Sequence, residues 1–234
     1  MAGLRNVSDW DTVRHMKPRF APFSDNVTLL GGGELDRATV SELLTLAPNL
    51  VACDGAAGRA LEMGLMPDRV VGDLDSIDAG TRARLGPGIV FEISEQDSTD
   101  FDKALRTTEA PLILGAGFMG RRLDHELACY NALVRHPGRR CILVGEEDIC
   151  FHAPGRVVLA MAPGTRVSLF PMAALEVTAS GLEWPLDRLA LAPWGRVGTS
   201  NRAVEPRVEI DPGGDGLLVI LPRQALRVAM AALG

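Results

Sequence analysis

The feature that most constrains this chain is a change of rhythm near residue 147. Before it, short apolar runs at 27–30, 50–52, 69–71, 89–93, 111–114 and 141–144 read as strands. The stretches between them, around 36–46, 57–63, 79–85, 99–107 and 123–135, carry helical patterning. Strands that are apolar throughout and alternate with helices predict a parallel sheet covered on both faces. After residue 147 helices are expected to stop. Runs at 151–153, 157–161, 166–170, 175–179, 189–192, 201–204, 207–210 and 217–221 are separated by Pro-Gly, Gly-Gly and similar turns, the pattern of an antiparallel sandwich or barrel. The reading is therefore two domains, a Rossmann-like parallel α/β domain over 1–147 and an antiparallel β-sandwich over 148–234. Residues 1–25, with Trp10 and two prolines but no clear period, are expected to form an arm or short helix on the surface. There is no internal repeat.

At 234 residues the chain can bury a substantial core. Its net charge of −6, with no basic stripe to offset it, argues against a general nucleic-acid binder but leaves nucleotides open. Cys53, Cys129, Cys141 and Cys150 are too scattered for a zinc pattern or a disulfide framework, and read as reduced core residues. Cys53 beside Asp54 reads as a buried strand-end thiol more readily than as a nucleophile. No apolar run is long enough to span a membrane and no signal-peptide core is visible at the N-terminus, so the cytoplasm is the expected location.

Between residues 71 and 103 acids gather around two phrases, Val71-Gly72-Asp73-Leu74-Asp75-Ser76 and Gln96-Asp97-Ser98-Thr99-Asp100-Phe101-Asp102-Lys103. Acids two apart on an extended segment point the same way, so Asp73 and Asp75 can reach one divalent cation. They also follow an apolar strand, and open α/β sheets bind ligands at the carboxyl ends of their strands. Ser98 or Thr99 suits the N-cap of the next helix, with Asp102 completing a loose capping box. Capping alone does not ask for Gln96, Asp97 and Asp100 together.

Gly31-Gly32-Gly33 follows the first strand and Gly55 follows the second. Both suit close approach of backbone to phosphate or ribose, and both suit ordinary turns. Gly115-Ala116-Gly117-Phe118-Met119-Gly120 matches the dinucleotide fingerprint G-x-G-x-x-G, but it lies deep in the α/β domain. It is followed by Arg121, Arg122, Leu123, Asp124 and His125, and no acid ends a strand roughly 20 residues beyond it. Arg122, Asp124 and His125 instead form a polar set at a helix start, suited to phosphate, ribose or base, or to one another as a cap and surface salt bridge. No P-loop motif is present.

In this order the phrases resemble the thiamine pyrophosphokinase family from Val27 onward. The matching stretches are Ala52-Cys53-Asp54-Gly55-Ala56-Ala57-Gly58-Arg59, Pro67 to Ser76, Gln96 to Phe101, and Gly120-Arg121-Arg122-Leu123-Asp124-His125. Gly181-Leu182-Glu183-Trp184-Pro185-Leu186 and Gly198-Thr199-Ser200-Asn201 resemble the family's thiamine-side motifs. The resemblance implies transfer of a pyrophosphoryl group from ATP to the hydroxyl of thiamine, giving thiamine diphosphate and AMP. It implies that Asp73, Asp75 and Asp100 hold Mg2+, with Gln96 beside them. Asp54, Gly55, Arg59, Gly117, Arg122, Asp124 and His125 would serve the nucleotide. Trp184, Thr199, Ser200 and Asn201 would line a thiamine pocket shared across a homodimer, although Trp184 also suits a β-domain core.

Departures from the family pattern occur at Gly58, where asparagine is usual, at Arg121, which replaces a glycine, and at Gly198, often serine. Asp100 is a candidate to accept the hydroxyl proton, though a metal ligand is a poor base. Three alternatives stay open at this point: a pyrophosphokinase acting on another heterocyclic alcohol such as a hydroxymethylpterin, a dinucleotide-dependent oxidoreductase using the Gly115 loop, and a non-catalytic nucleotide or thiamine sensor.

Overall fold

The computed structural model describes residues 20–120 and 122–234; residues 1–19, with Trp10, and Arg121 lie outside the described residues. Strands β1 (Val27–Leu30), β2 (Asn49–Cys53), β3 (Arg69–Gly72), β4 (Val90–Glu92), β5 (Ile113–Ala116) and β6 (Cys141–Val144) alternate with helices. These are α1 (Arg37–Leu46), α2 (Ala56–Glu62), α3 (Ala79–Leu85), α4 (Asp100–Thr107) and α5 (Leu123–Arg135). All six strands run parallel, in the order β6-β5-β1-β2-β3-β4. β1, β5 and β6 are buried at every position, as expected for strands covered on both faces.

Side-chain alternation sorts the core into two layers. Leu30, Ala52, Val70, Leu114 and Ile142 face α1, α2 and α3, with Val40, Leu43 and Ala60 packed on them. Val27, Leu29, Val51, Val71 and Leu143 face α4 and α5, where Phe101, Leu105 and Leu133 cover them. Asp36 and Asp78 cap α1 and α3 by accepting from Thr39 N and from Gly80 and Thr81 N. Thr99 caps α4 as expected, accepting from Asp102 N at 3.3 Å. The Asp102 carboxylate does not close a capping box; it turns to Arg106, Arg135 and His136.

The second half contains only strands until its last turn. These are β7 (Asp148–His152), β8 (Val157–Ala160), β9 (Arg166–Pro171), β10 (Leu175–Ser180), β11 (Leu186–Leu191), β12 (Gly198–Arg202), β13 (Arg207–Asp211) and β14 (Leu217–Pro222). They form the expected sandwich in a way the sequence does not announce. β7 pairs antiparallel with β6, so β7, β14, β9 and β12 extend the first sheet to ten strands. The other layer is a separate sheet, β11-β10-β13-β8. β8 and β10 alternate buried and exposed residues, as one-sided strands should.

The expectation that helices stop after residue 147 needs one correction. Leu226–Leu233 forms a final helix, α6, with Leu226, Ala229 and Leu233 on one buried stripe. Of the stretch expected to form an arm or short helix, the described part begins at Phe20. Phe23 packs under the Arg69 guanidinium at 4.0 Å, and Arg69 Nη2 donates to Ala21 O at 2.6 Å.

Candidate active site

The chain leaves β1 for β2 on one side and returns through β5 on the other, so the β1–β5 gap is the switch point of the sheet. Two glycine loops meet there. Gly31 N donates to Ala116 O and Gly33 N to Gly117 O, each at 2.8 Å. A Cβ on Gly33 would lie 2.5 Å from Gly117 O, and Gly117 itself has φ +78°. Gly33 and Gly117 are therefore required for one loop to lie on the other, which gives the middle glycine of the fingerprint-like phrase a packing role. Arg59 of α2 fastens the first of these loops by donating to Gly33 O and to Gly32 O.

Beside this junction opens a cleft of about 680 Å³, bordered by Asp54, Gly55, Asp73, Asp100, Lys103 and, from the α5 side, Arg122 and His125. A larger neighbour of about 980 Å³ shares Arg59 and Gly117 with it. Asp54 follows β2 in the left-handed region, at φ 41°, and its N–H donates to Val71 O at 3.0 Å. That turn brings Asp54 over the end of β3: a Cβ on Gly72 would stand 2.8 Å from the Asp54 Cβ. Leu74, also left-handed at φ 67°, turns the chain between Asp73 and Asp75. One carboxylate oxygen from each of Asp54, Asp73 and Asp75 lies within 4.8 Å of the others.

Asp100 enters from the first turn of α4. Lys103, three residues on and only 1% exposed, reaches Asp73 Oδ2 at 3.0 Å and Asp100 Oδ1 at 3.4 Å. Gln96 Nε2 donates to the same Asp73 oxygen at 3.3 Å. Two carboxylates thus meet the one buried ammonium while Asp54 and Asp75 crowd Asp73, and Asp54 Oδ1 is buried with no hydrogen-bond partner among the described residues. The electrostatics follow. Burial raises the Asp54 carboxyl against an opposing Ser76 hydrogen bond, and the charges of Asp100, Asp73 and Asp75 add to the rise. Burial also raises Asp100 despite the opposing Lys103 charge. The Lys103 hydrogen bond holds Asp73 below the usual range. Burial disfavours charge on Lys103, but its bonds to Asp73 and Asp100 outweigh that and raise it. An orphaned buried oxygen amid excess negative charge, in an all-oxygen donor set, fits a hard divalent cation such as Mg2+.

The other expected residues divide. Gly55, Arg59, Gly117, Arg122 and His125 border the clefts. Asp124 is exposed and is held by Arg122 at 2.7 Å in a surface pair, away from the cleft lining. Cys53 is the inert thiol expected: burial pushes it far up, and its Sγ lies 3.7 Å from Asp100 O. Lys103 was missed by sequence reasoning, which assigned it no role. The available signal was its spacing, since i and i+3 share a helix face and Asp100 was already a candidate.

Trp184, Thr199, Ser200 and Asn201 gather elsewhere, on β12 and the turn before β11. Trp184 is 58% exposed, so it is not a core residue. Asn201 is buried, and its side chain is consumed locally: it accepts from Trp184 N and Arg202 N and donates to Trp184 O at 2.7 Å. Ser200 sits at φ 63°, its N–H bonded to Ser168 Oγ at 3.0 Å. Asn201 therefore shapes the Trp184 turn, while Thr199, Ser200 and Trp184 present the exposed surface.

Comparison with known proteins places both halves. Residues 40–143 match the family model described as thiamin pyrophosphokinase, catalytic domain, and residues 156–213 match that of the thiamin pyrophosphokinase vitamin B1 binding domain. Thiamine pyrophosphokinase 1 of Arabidopsis thaliana is 28% identical over 225 residues, covering 87% of this chain and 82% of its own. Among solved structures, yeast thiamin pyrophosphokinase shares the fold with a TM-score of 0.67 at 18% identity, over 86% of this chain and 88% of that one. Thiamine pyrophosphokinase from Bacillus subtilis also superposes at 0.67, with 21% identity over 84% of this chain and 98% of that one. With catalytic and vitamin-binding matches following one another in the expected order along most of its length, the chain belongs to the thiamin pyrophosphokinase family.

Proposed function

We propose that Asp54, Asp73 and Asp75 hold the Mg2+ of the ATP complex, and that Asp100 and Lys103 serve the reacting groups beside it. The activity is that of the family: an enzyme that transfers a pyrophosphoryl group from ATP to thiamine. One observation carries the site assignment, the excess of carboxylates over cations around the unpartnered Asp54 oxygen. Asp54 takes the third ligand place that sequence reasoning gave to Asp100.

Bound magnesium would neutralise charge on the phosphates and orient the triphosphate. The chain's own groups do the rest. Lys103 offers a fixed ammonium at the floor of the cleft, and Arg122 and His125 supply polar groups at the start of α5. Asp100, raised by burial and held by Lys103, is placed to accept the proton of the attacking thiamine hydroxyl as the AMP leaving group departs. The vitamin-binding match favours thiamine over a pterin alcohol.

The acceptor would come from the β half of a second copy. β12 and β3 stand eight strand spacings apart in one sheet, which at about 4.8 Å each is roughly 38 Å. That span supports a homodimer in which Trp184, Thr199 and Ser200 of one subunit face the acid cleft of the other. It also supports a division of labour near residue 147, nucleotide before it and thiamine after it. Four buried free cysteines suit a reducing compartment such as the cytoplasm.

Mixing two inactive variants tests the arrangement. Asp73→Asn and a β-edge variant such as Trp184→Ala with Ser200→Ala should each lose thiamine diphosphate formation, and should regain part of it after subunit exchange. No recovery in a verified mixed dimer contradicts the shared site. ADP in place of AMP among the wild-type products contradicts pyrophosphoryl transfer.

A further inference from the structure

Behind the acid cleft lies a second ionic cluster, with no place in the mechanism above. Arg106 is 6% exposed. Its guanidinium reaches Glu95 Oε1 at 2.8 Å, Asp102 Oδ2 at 3.0 Å and Ser98 Oγ at 3.1 Å. Asp102, 2% exposed, also receives Arg135 at 3.1 Å and His136 Nε2 at 2.9 Å. The chain of contacts therefore runs from the loop before α4, through α4, to the end of α5.

That loop carries Gln96, whose amide meets Asp73, and it leads into Asp100. Among the described residues, no bond between main-chain groups ties residues 94–98 to any neighbour. Side chains take over. Glu95 accepts from Asp97 N at 2.9 Å and from Ser98 Oγ, and Arg106 holds Glu95 and Ser98 together. Arg106 also keeps its Nε buried without a partner among the described residues, a local cost carried within this network.

We infer that the Glu95–Arg106–Asp102 network is a positioning device, which sets the 95–98 loop so that Gln96 and Asp100 meet the Asp73 side of the cleft. Arg106 and Glu95 touch no reacting group in this arrangement; they act through Gln96 and Asp100. This rests on the site proposed above for magnesium and ATP. The device works from the flank of α4 next to the one that displays Asp100 and Lys103, so two adjoining flanks of one short helix are committed.

Glu95→Ala is the informative variant, because Glu95 is partly exposed and its loss leaves Arg106 paired with Asp102. Amide exchange in residues 95–98 should speed up at least about ten-fold. Turnover should fall about ten- to a hundred-fold, with a higher half-saturating magnesium concentration and an unchanged KM for thiamine, the signature of a misplaced site. Glu95→Gln, which keeps one acceptor for Arg106, should recover part of both effects. Unchanged exchange overturns the inference whatever happens to turnover, and so does faster exchange with wild-type turnover and magnesium dependence. If the wild-type protein forms no thiamine diphosphate, exchange still decides whether Glu95 holds the loop, and the failure belongs to the site proposal instead.

Discussion

Two ionic clusters sit on adjoining flanks of α4, built from the same kinds of residue and solved in opposite ways. On the rear flank, the partly exposed Glu95 and the buried Asp102 meet Arg106, Arg135 and His136, so each carboxylate finds a cation or a hydrogen-bond donor. On the front flank, Lys103 pairs only with Asp73 and Asp100, Asp54 and Asp75 lie close to Asp73 with no salt bridge to a cation among the described residues, and one Asp54 oxygen is left over. The rear cluster is balanced, and its electrostatics favour ionised carboxylates. Burial works against Asp102, but the His136 hydrogen bond and the charges of His136, Arg135 and Arg106 hold it below its usual range. The front cluster is frustrated, and burial lifts Asp54 and Asp100. Imbalance, more than acid content, distinguishes the proposed cation site from structural ion pairing.

The largest expected effect breaks the front cluster. Asp54→Asn should lower turnover at least about 100-fold, since a charge-stabilising group is removed from the reacting centre. It should not lower the melting temperature of the metal-free protein. A carboxyl raised on folding stabilises only below its folded value, so at neutral pH the ionised Asp54 is a cost that asparagine removes. A thermal melt and a rate on the same sample check both halves. Loss of folding together with activity would assign Asp54 a structural role like that of Asp102.

The rear cluster should respond the other way. Asp102→Asn leaves Arg106 facing one fewer anion and should cost about 3–5 kcal/mol of stability. The sign of its pH dependence is opposite too. A lowered carboxyl contributes fully above its ordinary range near 3.8 and loses that contribution as pH falls through the folded value. Acid unfolding of the wild type below about pH 4 should therefore be steeper than that of Asp102→Asn. Equal slopes would show that Asp102 carries no net linkage.

The smallest effect is expected at the Arg122–Asp124 pair. Both side chains are more than half exposed, so Asp124→Asn should leave the melting temperature unchanged. An altered KM for ATP in that variant would show that the pair opens to the nucleotide in the bound state. An unaltered one would confine Asp124 to the surface pairing seen here.

How much of this was legible in the sequence follows the range of the interactions involved. β1, β6, α3 and α5 could be read directly, because apolar period and caps are local signals. The joining of β7 to β6 was not legible, since strand pairing is a long-range choice that no local pattern records. α6 was passed over because it is a short apolar stretch after a run of strands. At the site, Asp73, Asp75 and Asp100 stood out as acids following a strand. Asp54 joins Asp73 and Asp75 only through the close approach of Gly72, which depends on β2 and β3 being neighbours. Asn201 was read as a ligand residue from a short motif, and only its three backbone bonds reveal that it builds the Trp184 turn.

The central claim, that the uncompensated carboxylates are where magnesium, ATP and thiamine come together, is tested most directly by phosphorus NMR of the reaction mixture. Wild-type protein with ATP, magnesium and thiamine should produce thiamine diphosphate and AMP in equal amounts, and neither should form after chelation of magnesium or in Asp54→Asn. Undiminished product formation in Asp54→Asn, or after chelation, would contradict the account.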